Sequence, residues 1–389
     1  MIDKPESQTH SVPNKLAERL FAPDALRGLI IVLMALDHAN IFVAHKHSSG
    51  EYWGGAFPVY YDTLAFLTRF VTHFCAPGFF FLMGVGMALF AFSRQQDGWT
   101  RGRIIRHFLV RGGVILAIKL LVVNQLWQLT PGGWGIRIYI GVLFALGACM
   151  ILGSLLLWLK SSYLFGVALI LLVGTGLLAP DPSQWGPSMN WVKLVLLEPG
   201  GLINSSGETL LWSNYPVLPW LGLVVFGMAI GGWLMVNPSQ AYSRAWKLGL
   251  VFLATFMVIR YLDGFGNIRA RMSNEWTDFL NPVKYPPSIT FTLLTSGVNL
   301  LLLWLFSRLR GWTKWAVQPL VVFGRAPLFF YMTHLLLYAG LGYLLTPNGS
   351  SLLVMYPVWL LGLLILYPLC VWYRNIKGWK PVRPVLQYF

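Results

Sequence analysis

Long apolar runs separated by short polar stretches dominate the chain. Ten runs are long enough to cross ~30 Å of hydrocarbon, at about 25–43, 76–93, 104–123, 138–158, 163–179, 217–236, 247–262, 288–306, 320–345 and 352–373. Each predicts a transmembrane helix, because a spanning segment must satisfy its own backbone hydrogen bonds. The runs lack the weak period-two alternation of barrel strands. Residues 60–75 precede Pro77 and read either as a helix lying against the membrane or as the top of the second span. Loops 44–62, 180–216 and 263–287 are long enough to shape a cap over an outward-facing cavity. Gly227-Met-Ala-Ile-Gly231 suits close helix packing.

Composition agrees with the pattern. Of 389 residues, 56% are hydrophobic and 11% charged, against roughly 25% charged in soluble domains. These values exclude a soluble enzyme, a disordered protein and a DNA-binding domain, and leave an all-α polytopic membrane protein with about ten helices in one bundle. The net charge of +15 then becomes a question of sides. With the N-terminus inside, 20 Lys and Arg fall in cytoplasmic segments and 8 in outer segments, while Lys119 lies within a span. The bias follows the positive-inside rule with both termini cytoplasmic. Residues 1–22 read as a polar cytoplasmic segment without the pattern of a removable signal peptide, 23–374 as the membrane domain, and 375–389 as a basic cytoplasmic tail. Cys75, Cys149 and Cys370 have no metal spacing and read as buried and inert. No metal and no nucleic acid partner are expected, and no Walker loop points to an ATP-driven pump.

The candidate chemistry lies where polar side chains enter apolar runs, since such groups are costly and usually face a cavity or a partner. In the first span, Arg27 and His38 are eleven residues apart, three helical turns and a ~16 Å rise. Arg27, Ile31, Met34 and His38 therefore share one face, with a cation at the cytoplasmic edge and an imidazole deep in the bilayer. Asp37 or Asp62 could orient that imidazole, although Asp37 points about 100° away from His38 on a helix.

The opening Asp24-Ala-Leu-Arg-Gly28 and the spacing from Arg27 to His38 resemble the first span of integral-membrane acyltransferases. Further stretches make the likeness specific: His73-Phe-Cys-Ala-Pro-Gly-Phe-Phe-Phe-Leu-Met-Gly84, Tyr215-Pro-Val-Leu-Pro-Trp220, Lys284-Tyr-Pro-Pro-Ser288, Phe323-Gly-Arg-Ala-Pro-Leu-Phe-Phe-Tyr331 with His334, and Leu369-Cys-Val-Trp-Tyr-Arg374. From about residue 20 to 380 the chain resembles bacterial relatives of heparan-α-glucosaminide N-acetyltransferase. The resemblance implies a multi-pass protein of the bacterial inner membrane. It also implies acetyl-CoA as cytoplasmic co-substrate, a sugar or glycan hydroxyl or amine on the far side as acceptor, and a histidine acting as base or acyl carrier. His38 holds the position used by glycan O-acetylating relatives. The lysosomal enzyme's histidine falls in the loop after span one, where this chain has His45 and His47.

The remaining candidates have structural alternatives. Arg69 and His73 form an i, i+4 pair that could line the acceptor site or anchor the interface. Lys284 and Tyr285 precede two prolines that suit the first turn of span eight, a place for an anion or a developing oxyanion. His334 lies mid-span and reads as pore-lining or as a satisfied core histidine. Arg101, Arg103, Arg106 and Arg111 open span three and could meet CoA phosphates, or simply obey the positive-inside rule. Trp53, Trp212 and Trp220 read as interfacial belts. A proton-coupled transporter or flippase of a small or sugar-linked substrate is the competing function. The sequence does not determine oligomeric state.

Overall fold

The computed structural model describes residues 20–47, 51, 58–178 and 190–377. Each of the ten apolar runs contains a helix, and among the described residues eight helices are long and apolar enough to cross a membrane: Phe21–Ala44, Thr63–Gln96, Arg101–Trp127, Val217–Val236, Pro238–Leu262, Ile289–Arg308, Pro327–Leu345 and Leu352–Lys377. Two further apolar helices occupy 142–154 and 161–178. The protein is an all-α polytopic membrane protein.

In chain order the helices that position the site are α1 (Phe21–Ala39), α2 (Thr63–Thr72), α3 (Cys75–Gln96), α4 (Arg101–Ile118), α5 (Val142–Ser154), α6 (Ser161–Leu178), α7 (Val217–Val236), α8 (Pro238–Leu262), α9 (Ile289–Arg308), α10 (Gln318–Gly324), α11 (Pro327–Leu345) and α12 (Leu352–Lys377). Helices α1, α3 and α7 are buried along most of their length, whereas α8 and α12 bury little, as expected of helices facing lipid. Helix α1 packs against α3, α9, α10, α11 and α12, which places its polar face inside the bundle. The seam between α3 and α7 is close: a Cβ on Gly84 would overlap the Val224 carbonyl, and one on Gly227 would overlap that of Phe81. The small-residue reading of Gly227 is thereby explained by backbone approach.

Several boundaries move, each for a local reason. Residues 60–75 become the top of the second span: Asp62 caps α2 by accepting from the Ala65 amide at 2.7 Å, and α2 runs through His73 and Phe74 into α3. Asp62 is thus a helix cap and not an orienting group for His38. The run 320–345 breaks between α10 and α11 at Arg325-Ala326, because Pro327 disfavours helical geometry in the residue before it. The prolines at 286 and 287 lie before α9, whose N-cap is Ser288, accepting from the Phe291 amide at 3.0 Å. Lys284 therefore sits in the preceding turn and not at a helix N-terminus.

The run 138–158 begins as a strand. Ile136–Ile140 (β1) joins Gly200–Ile203 (β2) and Thr209–Ser213 (β3) in a small sheet of order β1-β3-β2, with β1 parallel to β3 and β2 antiparallel to it. The β-branched alternation of Ile136, Ile138 and Ile140 suits a half-buried strand, and Gly135 has the positive φ that starts it. Trp220 is fully buried against Phe80 and Tyr215, because α7 is central; it is core and not part of a belt. Trp212 is half-buried on β3, and Trp53 lies outside the described residues. All three cysteines are free and buried.

Candidate functional site

A cavity of about 420 Å³ opens at the C-terminal end of α1. After Ala39 the helix widens into a π-helical turn, Asn40–Ala44, and His45 then adopts left-handed backbone (φ 54°). Such turns concentrate at functional sites. Here the turn brings Asp37, His38, His45 and His47 to one cavity wall, where Arg69 joins them from α2.

Arg69 organises the charges. It is 2% exposed and grips Glu51 with both sides of its fork, Nε donating to Oε1 at 2.6 Å and Nη2 to Oε2. Its Nη1 donates to Asp37 Oδ1 at 2.5 Å. The same Asp37 oxygen accepts from Thr72 Oγ1 at 2.8 Å and faces His47 Nε2 at 3.3 Å. His73 Nε2 donates to Glu51 Oε1 at 2.8 Å. The backbone carbonyl of Glu51 accepts from the amides of Lys284 and Tyr285 at 3.3 and 3.2 Å. Two carboxylates thus enclose one guanidinium and tie three segments of chain together, which suits Arg better than Lys because the fork binds bidentately.

Glu51 is fully buried, and burial alone would raise its pKa; Arg69 and His73 outweigh burial and hold it well below the usual carboxylate range. A carboxylate depressed in the folded state adds stability above its unfolded pKa, about 4.3, and loses that stability as pH falls through the folded value. Thermal unfolding in detergent is therefore expected to show an acid-side fall in stability starting below about pH 4.3. The Glu51→Gln variant should be less stable at neutral pH and show a shallower acid limb; an unchanged acid limb would count against this role for Glu51.

His38 reaches the site from one side of α1, next to Asp37 but not bonded to it, as their 100° separation requires. Its Nδ1 lies 2.6 Å from His334 Nε2 on α11, with the rings stacked at 4.9 Å. Trp127 meets the His38 ring edge-on at 5.3 Å and Tyr331 at 6.3 Å. The far wall is aromatic: Trp134, Tyr139, Tyr215 and Tyr285 line it with Trp127 and Tyr331. The sheet positions part of that wall, since Tyr139 on β1 pairs in register with Trp212 on β3. Asn214 donates to the Tyr139 hydroxyl at 3.0 Å and accepts from Trp212 Nε1 at 2.5 Å.

A family model described as "Heparan-alpha-glucosaminide N-acetyltransferase, catalytic" matches residues 19–262. The chain belongs to this family. Among curated relatives, mouse heparan-alpha-glucosaminide N-acetyltransferase is 29% identical over 131 residues, 34% of this chain and 18% of that protein. Na(+)/H(+) antiporter NhaA 2 of Pseudomonas syringae pv. syringae (strain B728a) is 29% identical over 160 residues, 39% of this chain and 38% of that protein. The chain therefore spans well under half the length of either relative. The region shared with the heparan-alpha-glucosaminide N-acetyltransferase family holds Asp37, His38, His45, His47, Glu51 and Arg69; Tyr285, Tyr331 and His334 come from the chain beyond it.

Against the sequence expectations, the structure brings together Asp37, His38, Arg69 and Tyr285 in one cavity, with both loop histidines. His73 lies behind Arg69 on Glu51, outside the cavity lining, and Lys284 is buried with its ammonium 5.0 Å from the Tyr285 ring centre. His334 is fully buried behind His38 and does not line the cavity. Arg27 is elsewhere: its Nη1 donates to Asp24 Oδ1 at 3.1 Å and to the Gly324 carbonyl at 3.0 Å, while Arg325 takes the other Asp24 oxygen at 2.9 Å. Arg106 is exposed on α4 and Arg111 half-buried, and neither borders the cavity. Sequence reasoning missed Glu51, Trp127, Trp134, Tyr139 and Asn214. Glu51 carried a signal, as an acidic residue in an aromatic loop beside the first span. Asn214 carried none, because its role depends on the register of β1 with β3. Lys119, visible only as a charge within a span, is fully buried, bonded to Asn124 and 4.8 Å from the Tyr139 ring centre.

Proposed function

We propose that the protein transfers an acetyl group from cytoplasmic acetyl-CoA to a hydroxyl or amine of an extracytoplasmic sugar or glycan, with His38 as general base. The observation that carries the reading is the cavity at the end of the first span. It joins an imidazole to aromatic walls, with His38, Trp127, Trp134, Tyr139 and Tyr215 inside the region matched by an acetyltransferase family. With the N-terminus inside, as the Lys and Arg distribution favours, this cavity faces outward and Arg27 lies at the cytoplasmic edge. The resemblance to bacterial relatives supports residence in a bacterial inner membrane.

The chemistry follows from the groups present. A sugar hydroxyl is a weak nucleophile, and an imidazole can accept its proton as the oxygen attacks the thioester carbonyl. The new oxygen–acyl bond forms, the carbon–sulfur bond breaks, and the proton passes to His38 and on to the departing thiolate of CoA. Asp37 and Arg69 hold the wall rigid, since their hydrogen bonds are directed at each other, at Glu51 and at Thr72. CoA would approach along the Arg27 face, with Arg106 and Arg111 on the same side of the membrane as its phosphates. His47, held at 3.3 Å from Asp37, is a second histidine in the cavity and supports a variant of this reading with the loop histidine as base.

The aromatic wall supports a sugar ring as acceptor, since a pyranose offers apolar C–H faces to an indole. Trp134→Ala is expected to raise the acceptor KM about three- to tenfold, the size of one lost aromatic contact, with little change in kcat; steady-state kinetics against acceptor concentration would check it. The direct test of the function is acetyl transfer from labelled acetyl-CoA by purified protein in liposomes, with sugars presented on the outside. Failure to bind or consume acetyl-CoA would overturn the reading. The similarity to an antiporter supports the competing one, a proton-coupled transporter. Substrate uptake into vesicles without CoA, driven by a pH gradient, would establish that alternative.

A further inference from the structure

We infer that His334 is a positioning residue that makes the cavity-facing Nε2 the one basic nitrogen of His38. The inference rests on the proposed role of His38 as base. It assigns to His334 a function other than contact with substrate, from which its complete burial separates it.

The argument is an accounting of four ring nitrogens. His334 Nδ1 lies 2.8 Å from the Phe330 carbonyl, one helical turn earlier on α11. A carbonyl only accepts, so this nitrogen carries a hydrogen. His334 Nε2 and His38 Nδ1 lie 2.6 Å apart, and two nitrogens at that distance share one hydrogen between them. A neutral imidazole carries one hydrogen, so His334, with its hydrogen on Nδ1, can only accept at Nε2 and His38 Nδ1 donates to it; three of the four nitrogens are thereby committed. The fourth is His38 Nε2, and His38 borders the cavity while His334 does not. A proton accepted from a substrate hydroxyl can therefore enter the pair only at His38 Nε2. Once it does, His38 Nδ1–H donates to His334 Nε2 as a charge-assisted bond, stronger than the neutral one it replaces. His334 thus plays the part that a carboxylate plays behind other catalytic histidines, fixing the tautomer and stabilising the imidazolium.

The neighbours of the pair leave this pattern intact. Trp127 and Tyr331 meet His38 edge-on and Phe330 stacks on His334 at 5.3 Å. Asp37 is engaged with Arg69, Thr72 and His47 and makes no hydrogen bond to either ring. Without His334, no side chain among the described residues holds His38 Nδ1.

The test combines kinetics with a readout that needs no turnover. Nitrogen-15 NMR of histidine-labelled protein, with His38 assigned by its loss in His38→Ala, should show a neutral ring protonated at Nδ1. In His334→Ala the same signal should move toward the Nε2-protonated form or a mixture. Acetyl transfer by His334→Ala should fall roughly ten- to hundredfold in kcat, the size of one buried hydrogen bond to a charged group, with acceptor KM unchanged. His334→Gln, whose amide oxygen can accept from His38 Nδ1, should recover part of the loss and the wild-type tautomer. An Nε2-protonated His38 in the unaltered protein overturns the inference, as does a rise in KM at constant kcat or a Gln variant no better than Ala. A protein that shows the expected tautomer but transfers no acetyl group would uphold the pairing and overturn the proposed function instead.

Discussion

Replacing His38 by alanine is expected to lower acetyl transfer by about 10²–10⁴-fold, the usual contribution of a general base, while leaving the protein folded. The side chain is 7% exposed, and its removal leaves His334 Nε2 without a partner. That cost is moderate, because the vacated space adjoins the cavity and water can enter. Yield and thermal unfolding in detergent should therefore change little beside the loss of turnover. His47→Ala is the matched control. Its ring is partly exposed and faces one oxygen of Asp37, an oxygen to which Arg69 and Thr72 also donate. If His38 is the base, His47→Ala should cost far less than His38→Ala. The reverse order would move the base to the loop after span one and leave His38 as a packing residue.

The largest effect on stability is expected at Arg69. Arg69→Met takes the guanidinium from both carboxylates, leaving Glu51 with His73 and Asp37 with Thr72 and His47, and breaking a buried pair by removing one partner costs about 3–5 kcal/mol. The loss should also reach the acceptor side, because Glu51 holds the Lys284–Tyr285 backbone through its own carbonyl. Adding Glu51→Gln to Arg69→Met removes one of the two carboxylate charges and should restore part of the stability. A double-mutant cycle on thermal unfolding in detergent measures this coupling. Additive losses would mean that the three groups do not act as one unit.

The contrast between these residues shows what could be read from the chain. Asp37 and His38 stood out because ionisable groups inside apolar runs are expensive, and Arg69 as the i, i+4 partner of His73; the cavity lining contains Asp37, His38 and Arg69. His334 stood out for the same reason as His38 but serves from behind, a distinction that depends on which way α11 turns against α1. Arg27 looked like a ligand for an anion, yet its Nη1 is already taken by Asp24, three residues earlier on the same helix, and by the Gly324 carbonyl from α10. Trp220 looked interfacial because tryptophan favours that zone, but close packing of α3 with α7 at Gly84 and Gly227 drew its helix into the core.

The sequence by itself determined that the chain crosses a membrane many times as helices, since no other arrangement satisfies the backbone of ten such apolar runs in lipid. It also determined that Arg27 and His38 share one face of the first span, which follows from 3.6 residues per turn. The tertiary structure alone decided which of those groups meet. Glu51 reaches Arg69 and His73 across 18 and 22 residues of chain, and His38 meets His334 across 296. Contacts of that range are set by how helices dock and where a π-helical turn or a left-handed residue redirects the chain. These are properties of packed backbones that hydrophobic periodicity does not encode.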